Sequence, residues 1–195
     1  MGRQLRSIRV LVGLMALLAV LVSCGGGDSK DDAGIAKEVT EGSLVPGDDV
    51  PAPAGDVVLT ITGDISTTND GDALSFDMET LEKIGLWRYE AYDEVGLGKD
   101  AVFEGVLMSD LLDVAGVSDD ASKIAALAIN DYAVDIPISD VTEYPVLLAT
   151  KVDGERMTVE EFGPLRVVYP SLDFDLDSAI YNARWIWQVI EFDIS

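Results

Sequence analysis

The sequence predicts one mainly β domain of the α+β class, running over residues 56–195. Three observations point there. Apolar residues fall in short runs rich in β-branched side chains, separated by Gly, Pro, Asn and Asp turn signals. The helical patterns between them are only a turn or two long. Composition also changes abruptly at Gly55, from acid, glycine and proline to strand-like residues. The stretch beyond it, about 140 residues, suits one domain.

The elements follow in order. Val57-Val58-Leu59-Thr60-Ile61-Thr62 reads as a strand closing on the turn Gly63-Asp64. Asp77 to Ile84 places Met78, Leu81 and Ile84 on one helical face and stops at Gly85. Phe103 to Leu107 is extended and leads into a helix from Ser109, its expected N-cap, to Gly116, its C-cap. Residues 123–130 and 132–136 read as strands flanking Asn130-Asp131. A hairpin is expected from Val146 to Val152, with Asp153-Gly154 in its turn. Val167 to Tyr169 and Trp185 to Phe192 complete the set as strands, and no internal repeat is visible.

Composition excludes several chemistries. The 195 residues hold 13 Lys plus Arg, 36 Asp plus Glu, one Cys and no His. Arg3, Arg6 and Arg9 lie at the start, so 10 basic residues face 36 acids from position 24 onward, a net charge of −26. Such a chain has no clustered cations for phosphate neutralisation, and nucleic acid is not an expected partner. Without His it lacks the commonest general base and metal ligand. One Cys permits no internal disulfide, Cys-ligated zinc or cysteine-held iron–sulfur cluster.

The N-terminus reads as an export signal. Three arginines precede an apolar run from Val10 to Val22, too short for a comfortable membrane span. Leu21-Val22-Ser23-Cys24 matches the bacterial lipobox, so residues 1–23 are expected to be a lipoprotein signal peptide and Cys24 the lipid-bearing residue. Gly25 is not the Asp that commonly retains lipoproteins at the inner membrane, which favours an outer-membrane anchor on the periplasmic face. Residues 25–55 carry seven acids, seven glycines and three prolines without an apolar period. Residues 24–55 are therefore expected to be a lipidated Cys and a disordered acidic tether, spanning roughly 30 Å.

Two tempting motifs fail. Gly96-Leu97-Gly98-Lys99 lacks the upstream glycine and following Ser or Thr of a phosphate loop, and reads as a hairpin turn. Asp173-Phe174-Asp175-Leu176-Asp177 begins like a calcium loop, but Ser178 stands where Gly is needed and Arg184 where Glu is needed. It reads as a solvated acidic loop. Three segments are richer: Ala128 to Pro137, Phe162 to Pro170, and Tyr181 to Val189. Each sets polar or aromatic groups beside apolar strand residues. As a strand, the last would put Trp185 and Trp187 on one face, either as core or as a stacking platform for a flat ligand. Arg166 is one of three arginines in residues 57–180, which suits a specific ion pair or ligand contact.

These segments resemble the molybdopterin-binding domain of sulfite-oxidase-type oxidoreductases. The resemblance rests on Leu59 to Gly63, Phe103-Glu104-Gly105-Val106 before Leu111-Leu112, and Asn130-Asp131-Tyr132-Ala133-Val134. It continues through Leu148-Ala149 before Asp153-Gly154, Gly163-Pro164-Leu165 with Tyr169-Pro170, and Trp187-Gln188. It implies an α+β, mainly β fold built to hold a pterin. A cysteine thiolate ligates molybdenum in those enzymes, and residues 86–105 contain none. The chain thus looks like small exported members without the ligand Cys, some of which bind a molybdenum-free reduced pterin. Those act as periplasmic sensors, signalling to the periplasmic domain of a membrane protein that handles a cyclic dinucleotide.

On that resemblance the cofactor-binding residues are Asn130, Asp131, Tyr132, Arg166, Tyr169, Trp185 and Trp187. Asp131 would accept paired hydrogen bonds from the pterin edge, Tyr132 and Trp187 would flank the ring, and Arg166 would meet its carbonyl side. No catalytic residue and no metal ligand are expected. The alternative is a molybdopterin-dependent oxidoreductase with a non-Cys metal site, and a third reading is a scaffold that kept the fold without the ligand.

Overall fold

The computed structural model describes residues 34–195; the expected signal peptide and Cys24 lie outside the described residues. Eleven strands and four short helices alternate along them. In chain order they are β1 (Lys37–Thr40), β2 (Val57–Gly63), β3 (Leu74–Asp77), α1 (Met78–Glu82), β4 (Leu86–Asp93), β5 (Lys99–Leu107) and α2 (Met108–Ala115). Then come β6 (Lys123–Ala128), β7 (Ala133–Pro137), α3 (Ile138–Glu143), β8 (Leu147–Val152), β9 (Glu155–Arg156), β10 (Arg166–Val168), α4 (Ser178–Arg184) and β11 (Val189–Ile194).

The strands form two sheets. The first has the order β1-β4-β5-β8-β10, with β9 also on β8, and every pairing in it is antiparallel. The second runs β3-β2-β11-β6-β7, with β11 parallel to β2 and the remaining pairs antiparallel. Alternating burial along β4 and β6 shows one face turned to the core, the period-2 signature of a half-buried strand. Leu59, Ile61, Phe76, Phe103, Leu111, Ile124 and Phe192 are fully buried between the layers. The α+β, mainly β class is therefore correct.

Local signals placed most elements well. Asp77 caps α1, accepting from the Thr80 backbone N at 2.8 Å, and Gly85 ends the following turn at φ +122°. Gly116 closes α2 in the left-handed conformation, but that helix begins at Met108 behind Leu107, so Ser109 is not its N-cap. The Gly96-Leu97-Gly98-Lys99 stretch turns the β4–β5 hairpin. Asp173 and Asp175 are exposed, and Asp177 caps α4 by accepting from the Ala179 backbone N. Trp185 to Gln188 is not part of a strand: Trp185 ends α4 and Gln188 takes φ +56°, so β11 starts only at Val189.

The expected tether is corrected for residues 34–55, and the domain begins well before residue 56. β1 pairs with β4, and Ala36, Leu44 and Val50 are buried in the common core. Ser43 and Leu44 backbone N–H groups both donate to the Lys83 carbonyl, at 2.7 and 2.9 Å. A side chain at Gly42 would run into the Ile84 carbonyl, so only glycine permits that approach. The segment reads as disordered because its three buried residues share no period; tertiary partners, not a local pattern, satisfy its backbone.

Asp77 closes this arrangement. Its Oδ2 also accepts from Ala54 N at 2.8 Å and Gly55 N at 2.9 Å, tying the N-terminal segment to α1. The backbone N–H groups of Thr80 and Gly55 hold its carboxyl well below the usual carboxylate range. A folded-state value below the unfolded one, about 3.9, means stability that is present at neutral pH and lost as pH falls below about 4. Asp77→Ala should therefore cost about 2 kcal/mol at pH 7 in urea unfolding, with the gap to the parent shrinking toward pH 2. A gap that stays constant with pH would show that the carboxylate's charge is not what stabilises.

Candidate functional site

A cavity of about 420 Å³ opens where the two sheets meet. Four segments build it: Val95 from the β4–β5 turn, Ala128, Asn130 and Tyr132 around the β6–β7 turn, Asn182 and Ala183 from the last turn of α4, and Trp185 to Gln188. The last segment bridges the layers. Val167 N donates to the Ile186 carbonyl at 2.9 Å beside β10, while Ile129 N donates to the Gln188 carbonyl at 3.0 Å beside β6.

Local bonds hold each wall. Asn130 Oδ1 accepts from Tyr132 N at 3.1 Å, a side-chain-mimicked turn, and Tyr132 Oη donates to the Ala183 carbonyl at 3.1 Å. Asn182 Nδ2 donates to Glu94 at 2.9 Å, and Gln188 Nε2 to the Val159 carbonyl at 2.7 Å. Trp187 is half-buried and packs edge-on against Phe162, with ring centroids 4.6 Å apart. Trp185 is buried and meets Phe103 at 6.1 Å in a T-shaped contact. The cavity thus offers aromatic surface and neutral amides.

Behind Trp185 lies a buried ion pair. Arg166 and Asp93 side chains are each 1 % exposed, with Nη1 2.9 Å from Oδ2. The Arg166 guanidinium also lies 5.2, 5.7 and 5.6 Å from the Phe103, Phe162 and Trp185 ring centroids. Its Nε and Nη2 are buried without a hydrogen-bond partner. Asp93 accepts besides from Gly96 N and Leu97 N, at 2.9 and 3.0 Å, and so shapes the turn that presents Val95.

A second polar cluster anchors α4, which has no buried residue of its own. Arg184 Nη1 lies 2.7 Å from Asp140 Oδ2, and Tyr169 Oη donates to the same oxygen at 2.8 Å. Burial, then the Asp140 carboxylate, push the Tyr169 hydroxyl far above the usual tyrosine range. Tyr144 is raised too, chiefly by its hydrogen bond with Tyr181. Both phenols remain protonated at neutral pH and serve as donors, not bases.

Four of the seven expected site residues therefore come together: Asn130, Tyr132, Trp185 and Trp187. Three do not. Asp131 is exposed at φ +64° in the turn and does not line the cavity. Arg166 lies beneath the wall, and Tyr169 is wholly buried and committed to Asp140. Burial decided these cases: a side chain at a strand junction can face either way, and alternation alone does not say which. Asn182 and Gln188 line the cavity and were legible as polar residues inside the Tyr181 to Val189 segment. Asp93 carried no signal among so many acids.

The fold and cavity define a β-rich domain with an aromatic, amide-lined cavity. Residues 89–190, just over half of the chain, match the family model described as oxidoreductase molybdopterin binding domain, and the protein belongs to that family. It is 33 % identical over 104 residues to the uncharacterized oxidoreductase YuiH of Bacillus subtilis (strain 168), covering 51 % of this chain and 50 % of that protein. The chain thus spans about half the length of that curated relative. The fold is shared with the sulfane dehydrogenase SoxCD of Paracoccus pantotrophus at a TM-score of 0.54 and 21 % identity, over 70 % of this chain and 37 % of that one.

Family membership implies molybdopterin, and the residues fit one part of it. Tyr132, Trp185 and Trp187 suit the faces of a pterin, and Asn130, Asn182 and Gln188 suit its edges. The unpartnered Arg166 N–H groups are donors of the kind a buried acceptor would satisfy. The metal end does not fit. Residues 34–195 contain neither Cys nor His, and among the described residues no group of three potential ligands is placed to hold a metal.

Proposed function

We propose that residues 34–195 are a molybdopterin-class binding domain that holds the pterin ring in the cavity between the β6–β7 turn, α4 and the Trp185 to Gln188 segment. The observation that carries this is the aromatic and amide lining, which falls within the stretch matched by the family model. The oxidoreductase reading follows from the family, and any metal would be held without a thiolate from residues 34–195. Residues 34–195 supply neither a thiolate nor an imidazole to a metal.

One observation favours a second reading. A domain with no Cys and no His suits a molybdenum-free reduced pterin better than a working metal site. In that reading the protein is a sensor: a lipoprotein held through Cys24 at the periplasmic face of the envelope. It would signal to the periplasmic domain of a membrane partner such as a cyclic-dinucleotide enzyme. The lipobox Leu21-Val22-Ser23-Cys24 supports the anchor.

Purification from the native host, followed by elemental analysis and mass spectrometry of released small molecules, separates these readings. Stoichiometric molybdenum with molybdopterin supports the oxidoreductase; a pterin without molybdenum supports the sensor. Neither would leave the scaffold and sink both. For the anchor, Cys24→Ser should move the protein from membrane to soluble fractions while changing pterin affinity by less than about twofold, since two acyl chains or more are what anchor stably. Membrane retention of that variant would refute the lipid assignment.

A further inference from the structure

Resting on the lipid-anchored reading, we infer that a further cleft, at the β1–β4 edge of the first sheet, seats the phosphoethanolamine headgroup of the bilayer. The cleft holds about 500 Å³, and its wall includes the exposed side chains of Lys37, Arg88, Glu90, Val102, Leu172 and Asp173. It shares no lining residue with the aromatic cavity.

Its cations are unlike the others. Among the described residues every Lys and Arg sits in an ion pair except Lys37 and Arg88. Those two stand directly opposite each other across the β1–β4 ladder. On its other side Arg88 faces Glu104, but that carboxylate is taken by Lys151. Like charges facing each other across a strand pair destabilise it. An anionic group between them removes the repulsion and accepts charge-assisted hydrogen bonds from both.

The same cleft holds carboxylates. Glu90 lies two residues along β4 from Arg88, on the same face and about 7 Å away. Asp173 comes from the loop after β10. Ser171 Oγ fixes that loop to β4, accepting from Tyr92 N and donating to the Tyr92 carbonyl, both at 2.9 Å. Neither Glu90 nor Asp173 is in an ion pair among the described residues. Two cations and two carboxylates, none with an ion-pair partner, match a short zwitterion: its phosphate meets Lys37 and Arg88, and its primary ammonium donates to Glu90 and Asp173. Exposed Val102 and Leu172 supply apolar surface for the carbon chain that follows the headgroup.

The length of chain before the cleft selects a lipid as the source of that zwitterion. Gly34 lines the cleft, and residues 25–33 alone separate it from Cys24. A fully extended chain of that length reaches about 35 Å, so an anchor at Cys24 keeps the cleft beside the bilayer. A net charge of −23 opposes approach to an anionic surface, whereas a zwitterionic surface offers no such repulsion. Phosphocholine has the phosphate but no ammonium N–H to donate, and phosphoglycerol has no ammonium at all.

Acylation of Lys37 in vesicles tests this. The full chain is extracted from membranes in a non-ionic detergent and returned to vesicles, with Lys99, exposed and paired with Asp153, as internal reference. In phosphatidylcholine containing about 30 % phosphatidylethanolamine, Lys37 should label about threefold or more slowly relative to Lys99 than in detergent. Phosphatidylcholine alone, or with about 30 % phosphatidylglycerol, should change that ratio by less than about 1.5-fold. Glu90→Gln combined with Asp173→Asn should remove the protection. Equal labelling in all three lipids, or protection that survives the double substitution, would overturn the inference and leave the anchor standing. So would protection by free glycerophosphoethanolamine in detergent with none in vesicles, which would make a soluble zwitterion the ligand. A chain that does not float with vesicles would overturn the anchor and the inference together.

Discussion

Asp93→Ala should destabilise the fold by about 3–5 kcal/mol, because it leaves the Arg166 charge buried and uncompensated. That is a large share of a typical total of about 5–15 kcal/mol, and it should lower the melting temperature by about 10 °C or more. The substitution also strips the acceptor from Gly96 N and Leu97 N, loosening the turn that carries Val95. Replacing both partners, Asp93→Leu with Arg166→Met, should recover at least half of the loss, since the surrounding Phe103, Phe162 and Trp185 rings suit an apolar side chain. Urea unfolding of the parent, the single and the double variant measures this. A single-variant loss under about 1 kcal/mol would show that water reaches the pair in solution.

Trp187→Ala should weaken pterin binding by about 10- to 100-fold, the loss of one stacking surface worth about 1–3 kcal/mol. Trp187 is half-buried, and its main ring contact is Phe162, so the fold should lose only about 1–2 kcal/mol. Asp131→Ala is the matched contrast. Its side chain does not line the cavity, so the affinity for an uncharged pterin should change by less than about threefold. If the two variants exchanged these effects, the ring would sit over the β6–β7 turn and not against the tryptophan wall.

Much of the fold was readable from local pattern. β2, α1, β6 and the β8–β9 hairpin announce themselves through β-branched runs, helical spacing of apolar residues and turn dipeptides, all of which act within a few residues. The family resemblance extended this, since its motifs lie in order along the same strands. Several elements were not legible. β1 is four residues long and exposed along its whole length, and it exists because β4 offers a partner. α4 has no fully buried residue and is held where its own Arg184 and Tyr181 meet Asp140 and Tyr169 from elsewhere in the chain.

The candidate site divides along the same line. Asn130, Tyr132, Trp185 and Trp187 stood out by residue type beside apolar strands, and the cavity brings them together. Which polar groups face inward depended on contacts that no window of sequence contains. Arg166 finds Asp93 across 73 positions, and that pairing holds its side chain buried behind Trp185 instead of on the cavity wall. Tyr169 finds Asp140 across 29 positions and is wholly buried too. Composition and periodicity record a residue's own preferences, and those were enough for the class, the turns and the aromatic character of the site. Burial of a charge or an orphaned strand is decided by partners distant in the chain, because only their arrival repays the desolvation and the lost backbone freedom.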